Sequence, residues 1–306
     1  MIKVAVVFDM VNLDEERKRM IDAVASALSK KFEVEKLPFD DDFVKKVKKF
    51  DAVFNLSTAY KQIHVPAILD VLNIPYTGSD ALAHALCIDK VITKTILVQN
   101  NVPTPEFVAV EVGQLPPQID FYPAIVKPSR QGSAKGIHAD SVVHNYDELC
   151  RIVKRVHEQF NEPALVEKFI EGKELSVGIV AGEVLPILEI DFSELGEGLE
   201  RFYSYRVKHY YGDKTKYYCP ARIDETVRKK IEFYAKRAFE ALRLKNYARM
   251  DLRLKDDEIY FLEVNSLPML TPGYSDIIKM AEATGYSYDE LILKIFEDGV
   301  MKCFGT

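Results

Sequence analysis

Most of the marks that assign a chain to a class by inspection are missing here. There are four cysteines in 306 residues, Cys87, Cys150, Cys219 and Cys303, widely spaced and without a C-x-x-C pair. That argues against a structural zinc site and against a disulfide framework. No stretch approaches the ~18 apolar residues of a membrane span. The start, Met1-Ile2-Lys3 followed by an apolar run, lacks the h-region of a secretory signal. A cytoplasmic, reducing compartment is the expectation. Net charge is −6 with the two signs interspersed, and no basic block exceeds a few residues. The electrostatic footprint of a nucleic-acid binder is therefore absent. There is no internal repeat and no low-complexity tract. The turn after the first apolar run, Asp9-Met10-Val11-Asn12, has no glycine, so a dinucleotide fingerprint is excluded. The G-x-x-x-x-G-K-[ST] order of a Walker A loop does not occur either.

What is present is a chain that is 48% hydrophobic, enough for a large core, with a length that predicts two or three domains. Three segments can be read. Up to about residue 77, short apolar runs (Val4 to Phe8, Ala52 to Leu56) alternate with residues at helical spacing (Ile21, Val24, Ala25, Leu28; Val65, Ile68, Leu69, Leu72). This β-α-β-α-β-α order predicts a doubly wound parallel sheet. The second segment opens with a helix predicted over 80–99. It breaks at Val102-Pro103 and Thr104-Pro105, and continues with strands at 107–110, 124–127 and 164–169 around a helix carrying Leu149, Ile152, Val153 and Val156. The third opens with strands at 175–180 and 184–190 and passes through a long polar stretch, 193–216. It then carries a helix with Val227, Ile231, Tyr234, Ala238 and Leu242.

The most informative feature follows that helix. Ala248-Arg249-Met250-Asp251-Leu252-Arg253 and Phe261-Leu262-Glu263-Val264-Asn265 both alternate apolar and polar residues, as half-buried strands do. The connector Lys255-Asp256-Asp257-Glu258 is short and polar, which predicts an antiparallel hairpin; with a turn over Asp256 to Glu258, Asp251 lies opposite Glu263. Two carboxylates, an amide and a guanidinium then share a face, and hard oxygen donors of this kind suit Mg²⁺. A solvated face with a salt bridge would show the same spacing.

Four further places bear on chemistry. Lys127-Pro128-Ser129-Arg130-Gln131-Gly132-Ser133-Ala134-Lys135-Gly136 leaves a strand as a loop whose small residues let backbone N–H groups approach an anion; an ordinary solvated turn is the simpler alternative. Glu167-Lys168-Phe169-Ile170, followed by Glu174, ends a strand where a charged pair beside apolar residues can grip a base and a ribose; a plain strand end reads the same way. Lys90 sits in Cys87-Ile88-Asp89-Lys90, where a solvated lysine is the bland expectation. The stretch from Tyr203 through Lys208, His209, Tyr210 and Gly212-Asp213 to Lys216 is an aromatic, polar loop long enough to serve as a lid.

Singly these places are weak; their order along the chain is not. Lys90, the 127–136 loop, Glu167-Lys168-Phe169-Ile170 with Glu174, Tyr203 to Lys208, Arg249-Met250-Asp251 and Leu262-Glu263-Val264-Asn265 together resemble the D-alanine–D-alanine ligase family of the ATP-grasp superfamily. Pro75-Tyr76-Thr77-Gly78-Ser79 and Cys219-Pro220-Ala221 are similar to that family's boundary motifs. The likeness runs from about Val65 onward, and before it only the secondary-structure pattern agrees. The resemblance implies an α/β, ATP-grasp fold: an N-terminal Rossmann-like domain (1–78), a central ATP-grasp subdomain (79–169) and a C-terminal one bearing the metal site (170–306). It implies ATP-driven joining of a carboxylate to an amine through an acyl phosphate. Lys90 and Lys127 would hold ATP phosphates; Glu167, Lys168, Ile170 and Glu174, beside Tyr203, would hold the nucleoside. Lys208 would reach the γ-phosphate from the lid. Asp251, Glu263 and Asn265 would bind two Mg²⁺ ions, with Mn²⁺ as an admissible substitute. Arg249 would stabilise the oxyanion, and Ser133 would sit in the loop closing over small amino-acid-like substrates. The lid residue maps onto His209 or Tyr210. Members of the family commonly form homodimers through the N-terminal half.

The departures from the family are concentrated in one half. The glycines expected after the first strand are gone from Asp9-Met10-Val11-Asn12-Leu13-Asp14-Glu15-Glu16-Arg17. In Leu56-Ser57-Thr58-Ala59-Tyr60-Lys61-Gln62-Ile63, Leu56 replaces a histidine and Lys61 an acid. Asn-x-x-Pro-Gly becomes Asn265-Ser266-Leu267-Pro268-Met269. The nucleotide and metal half is retained while the half that meets the first amino acid is altered. Other readings therefore stay open: a ligase for another pair of amino or hydroxy acids, such as a depsipeptide former, or a catalytically silent nucleotide-binding regulator.

Overall fold

The computed structural model describes residues 2–11 and 13–301; Asn12 and Cys303 lie outside the described residues, as does the side chain of Asp213. The chain runs β1 (Lys3–Asp9), α1 (Glu15–Leu28), β2 (Glu33–Phe39), α2 (Phe43–Val47), β3 (Ala52–Asn55), α3 (His64–Leu72), α4 (Ala81–Ile88), α5 (Lys90–Gln99) and β4 (Phe107–Val110). It continues through β5 (Ala124–Pro128), β6 (Val142–Val143), α6 (Tyr146–Phe160), β7 (Ala164–Lys168), β8 (Lys173–Val180), β9 (Glu183–Val184) and β10 (Leu188–Asp191). It closes with α7 (Tyr205–Tyr210), β11 (Lys216–Tyr218), α8 (Glu225–Ala241), β12 (Tyr247–Lys255), β13 (Glu258–Asn265), α9 (Asp276–Ala283) and α10 (Tyr288–Val300).

Three sheets result. The first is parallel, in the order β2-β1-β3. Val4 to Val7 are wholly buried, as a central strand covered on both faces requires. The second is antiparallel, β4-β7-β5-β6, with α6 laying Leu149, Ile152, Val153 and Val156 on it. The third is the largest, β11-β10-β8-β12-β13 with β9 beside β8. One of its faces packs against α8 and against α4 and α5 through Ala83, Cys87 and Leu97. The other merges with α9, α10 and the N-terminal sheet into a shared core that includes Val4, Val6, Tyr247, Ile277 and Phe296.

Two elements depart from the sequence reading. The helix predicted over 80–99 is broken at Asp89, whose backbone is extended (φ −93°, ψ 103°) and whose carboxylate caps the N–H groups of Val91 and Ile92. An acid inside a helical pattern can stop one helix and start the next. The strand predicted over 184–190 is split around Pro186, which has no N–H to give a ladder, into β9 and β10.

Candidate active site

The hairpin β12–β13 forms the floor. Asp256 and Asp257 both have positive φ, 49° and 63°, the geometry of a two-residue turn that matches strand twist. The turn holds two residues rather than the three of 256–258, and from Lys255 opposite Glu258 it would set Asp251 against Leu262. A register irregularity between Asp251 and Leu252 shifts the pairing by one, so that Asp251 faces Glu263 and Arg249 faces Asn265. On the other side β12 pairs with β8, setting Asp251 beside Ser176 and Arg253 beside Glu174. Arg249 binds Asp251 through two bonds, Nε to Oδ1 at 2.9 Å and Nη2 to Oδ2 at 2.7 Å. Its Nη1 lies 3.6 Å from Asp276 Oδ2, at the start of α9. Asn265 Nδ2 donates to Asp251 Oδ2 at 3.1 Å, and the Ser176 hydroxyl donates to Oδ1. Burial opposes ionisation of Asp251, but Arg249 and Ser176 outweigh it and hold its carboxyl below the usual range. Burial likewise works against the charge on Arg249, and Asp251, Asp276 and Glu263 more than compensate.

Above this floor lies a cleft of about 740 Å³. It is lined by Asp251, Glu263, Lys127, Lys208 and Ala134 together with Phe169, Ile170, Glu174, Phe202 and Arg253. Lys90, buried to 8% exposure and so far from the solvated lysine of the bland expectation, donates from Nζ to the carbonyl of Gln131 at 2.5 Å. The same Nζ lies 3.6 Å from Glu263 Oε2. Lys127 pairs with Glu167, whose other oxygen lies 2.8 Å from Lys94 Nζ. Glu167 is fully buried; two ammonium groups hold it ionised against the cost of burial. Lys168 is exposed and ends β7.

The 127–136 loop is anchored at its root by Glu162, which accepts from the Arg130 N–H at 2.9 Å and from Gln131 Nε2 at 2.7 Å. Its tip carries Ser133 and Ala134 at φ 54° and 57°. The polar stretch folds into α7, N-capped by Ser204. It meets the loop directly: Tyr205 N–H donates to the Ile137 carbonyl at 2.9 Å, and His209 Nε2 to the Ser133 carbonyl at 3.3 Å. Tyr210 is 69% exposed. Tyr203 lines the cleft, its hydroxyl 2.7 Å from that of Tyr217, and burial pushes its phenol up.

Some residues of the site escaped sequence reading. Lys94 follows Lys90 by four residues, one helical turn, and that spacing was the available signal. Arg253 follows Asp251 by two and shares its strand face, a signal the alternation carried. Asp276 and Ser176 have no local signal; only the fold brings them to Arg249 and Asp251.

Two sheets that close on one lysine-lined cleft, over an acidic hairpin, place this chain in the ATP-grasp class of ligases. Its backbone superposes on the crystal structure of the D-alanine–D-alanine ligase from Bacillus anthracis complexed with ATP, with a TM-score of 0.80 over 98% of this chain and 97% of that one. At 24% identity that is a likeness of fold. The family model described as D-ala D-ala ligase C-terminus matches residues 99–297. The D-alanine–D-alanine ligase of Syntrophotalea carbinolica is 38% identical over 76% of this chain and 72% of its own length. That of Pediococcus pentosaceus is 36% identical over 74% of this chain, a match that spans 62% of the relative's length. The chain belongs to the D-alanine–D-alanine ligase family.

Proposed function

We propose that this chain joins a carboxylate to an amine at the expense of ATP. The observation that carries the reading is one cleft lined by Asp251 and Glu263 of the paired hairpin together with Lys127, Lys208, Phe169, Phe202 and Tyr203. The γ-phosphoryl group passes to a carboxylate oxygen, giving ADP and an acyl phosphate. The neutral amine nitrogen then attacks the acyl carbon and forms the C–N bond; the bond from that carbon to the phosphorylated oxygen breaks, and phosphate leaves with that oxygen while the nitrogen gives up a proton. Lys90, Lys127 and Lys208 bind the phosphates as cations that need no proton transfer. Glu167, Lys168, Ile170 and Glu174 hold the nucleoside beside Tyr203. Arg249 stabilises the tetrahedral oxyanion. Ser133, with His209 or Tyr210, closes over the substrates, and closure keeps water from the acyl phosphate.

The donor set fits Mg²⁺. Asp251, Glu263 and the Asn265 amide supply hard oxygens on one hairpin face. Among the described residues no group of three or more His, Cys, Asp or Glu side chains is placed to hold a metal ion, and the proposed set is two carboxylates and an amide. Each carboxylate has a cation neighbour, Arg249 or Lys90, that shares its charge with an arriving ion. Bound there, Mg²⁺, as two ions or with Mn²⁺ in its place, neutralises charge on the triphosphate.

The first substrate need not be D-alanine. Lys61 stands where the family has an acid, in the exposed turn Tyr60-Lys61-Gln62 whose φ values are 45°, 59° and 65°. A cation there favours a substrate with an added negative charge or without a free ammonium. The three-part division at 78 and 169, a homodimer through the N-terminal half and a cytoplasmic setting complete the reading; among the described residues no helix is long and apolar enough to cross a membrane. Pairs of D- and L-amino acids and hydroxy acids, assayed by phosphate release with mass detection of products, test it. Turnover with at least one pair other than D-alanine alone is expected, and robust turnover with D-alanine as sole amino acid would contradict the assignment of Lys61. Glu263→Ala should abolish phosphate release from a folded protein; unchanged release would remove Glu263 from the metal set.

A further inference from the structure

A guanidinium lines the cleft beside Ile170 and Glu174, and the reaction outlined above does not use it. Arg253 stands on β12 opposite Glu174 on β8, and its side chain is 5% exposed. Nη2 donates to Glu174 Oε2 at 2.6 Å and to the carbonyl of Arg201 at 3.2 Å; Nη1 donates to the carbonyl of Ile170 at 3.1 Å. The guanidinium carbon is 5.7 Å from the centre of the Phe169 ring. Phe169, Ile170, Glu174 and Arg253 all line the cleft.

Arginine is one of the more expensive side chains to bury, and what it does there follows from its partner. Burial pushes the Glu174 carboxyl up and outweighs Arg253, the main opposing influence, so the group stays above the ordinary glutamate range and the guanidinium is what limits the rise. A protonated carboxyl presents a hydroxyl donor, whereas an ionised one only accepts. An acceptor-only carboxylate in a nucleotide cleft is complementary to the hydroxyl donors of a ribose. Among the described residues no donor is hydrogen-bonded to Glu174 Oε1, so one oxygen is held by the guanidinium and the other is left for a ligand. The same guanidinium ties the β7–β8 junction to the segment before α7, fixing the carboxylate's surroundings as well as its charge.

We propose that Arg253 is the positioning residue for ribose recognition: it holds Glu174 as a fixed acceptor for a ribose hydroxyl, so that the cleft selects ribonucleotides over deoxyribonucleotides. The inference rests on the reading of the cleft as an ATP site, and adds a selectivity which that reading does not contain. The test is the dissociation constant of the full-length protein for ATP, 2′-deoxy-ATP and 3′-deoxy-ATP with Mg²⁺, for wild type, Arg253→Met, Arg253→Lys and Glu174→Gln. Hydrogen bonds to charged groups are worth enough for wild type to favour ATP over the poorer deoxy analogue by roughly tenfold or more. Arg253→Met and Glu174→Gln should each bring that ratio close to one by weakening ATP alone, with Arg253→Lys between. In Arg253→Met the ATP affinity should also fall as pH is lowered, because its Glu174 takes up a proton more easily. An unchanged ratio in Arg253→Met, or equal weakening for all three nucleotides, means a merely structural arginine and overturns the proposal. Should Arg253→Met not fold, a wild-type ratio in both Arg253→Lys and Glu174→Gln overturns it as well. Wild type that binds ATP without discrimination sinks this inference alone; wild type that binds no ATP sinks the ATP reading with it.

Discussion

Single side chains at this site are held by charge partners they do not share with solvent. Arg249 lies between Asp251 and Asp276, Glu167 between Lys127 and Lys94, and Glu174 against Arg253. Removing one member of such a set leaves the other buried and unpaired, which costs more than the pair contributes. His84 follows a different logic. It is wholly buried beneath the end of β13, with Nδ1 2.7 Å from the Ser266 hydroxyl, and burial lowers its pKa to about 4. The unfolded chain takes up a proton near the ordinary histidine value of about 6.5. This contribution to stability is therefore complete above that pH. It falls by roughly 1.4 kcal/mol per pH unit as pH drops toward the folded-state value. Chemical denaturation of wild type and His84→Gln at pH 7 and pH 5 checks the sign: the wild type should lose more stability than the variant, and parallel losses would count against the assignment. At this scale the sequence was legible where periodicity carried the signal. Alternation put Arg249 with Asp251 and Glu263 with Asn265 on one face of each strand, and the order of motifs along the chain separated them from a solvated face; the irregularity between Asp251 and Leu252 that brings Asp251 opposite Glu263 had no signal in the sequence. Lys94 and Arg253 stood on the same periodicities as residues already singled out, but a lone lysine or arginine reads first as solvated surface.

Among the elements, the lid and the glycine-bearing loop are the parts whose pairing could not be read in advance. Both were visible as polar stretches of unusual composition, yet nothing local states that Tyr205 meets Ile137 or that His209 meets Ser133. The choice between His209 and Tyr210 is now open to a direct comparison. Both are exposed, and His209 touches the opposing loop through the Ser133 carbonyl. His209→Ala should lower kcat/KM by about tenfold, the cost of a hydrogen bond that helps closure, while Tyr210→Phe should stay within about twofold of wild type; the reverse ranking would move the role to Tyr210. The junction between β7 and β8 makes a second prediction. A Cβ on Gly172 would lie 2.2 Å from the carbonyl oxygen of Leu254, on the strand that carries Asp251. Gly172→Ala must therefore push β12 or the junction aside, and should cost stability by about 1–3 kcal/mol, measured as a lower denaturation midpoint. The elements that were misread share a cause: Asp89 and Pro186 act through a cap and a missing donor, which override an apolar pattern that otherwise continues.

For the whole molecule, the class was legible because the order of motifs along the chain mirrors the order in which the fold brings them to the cleft. The association of the segments was not. Val4 and Val6 of the first sheet share a core with Ile277 and Phe296 near the other end of the chain, and Ala83 and Leu97 pack against the third sheet. No local pattern encodes such partners, since any apolar face satisfies the same rule. The account depends on this assembly bringing a carboxylate, an amine and the γ-phosphate of ATP together over one acidic hairpin. The most direct test follows the oxygen that changes hands. A carboxylate substrate found in the pairwise screen is labelled with ¹⁸O in both carboxyl oxygens, turned over with ATP, and the released phosphate is weighed by mass spectrometry. An acyl phosphate route predicts one ¹⁸O in each phosphate formed, together with ADP and a condensed product. Unlabelled phosphate, or phosphate that takes its new oxygen from labelled water instead, would contradict it.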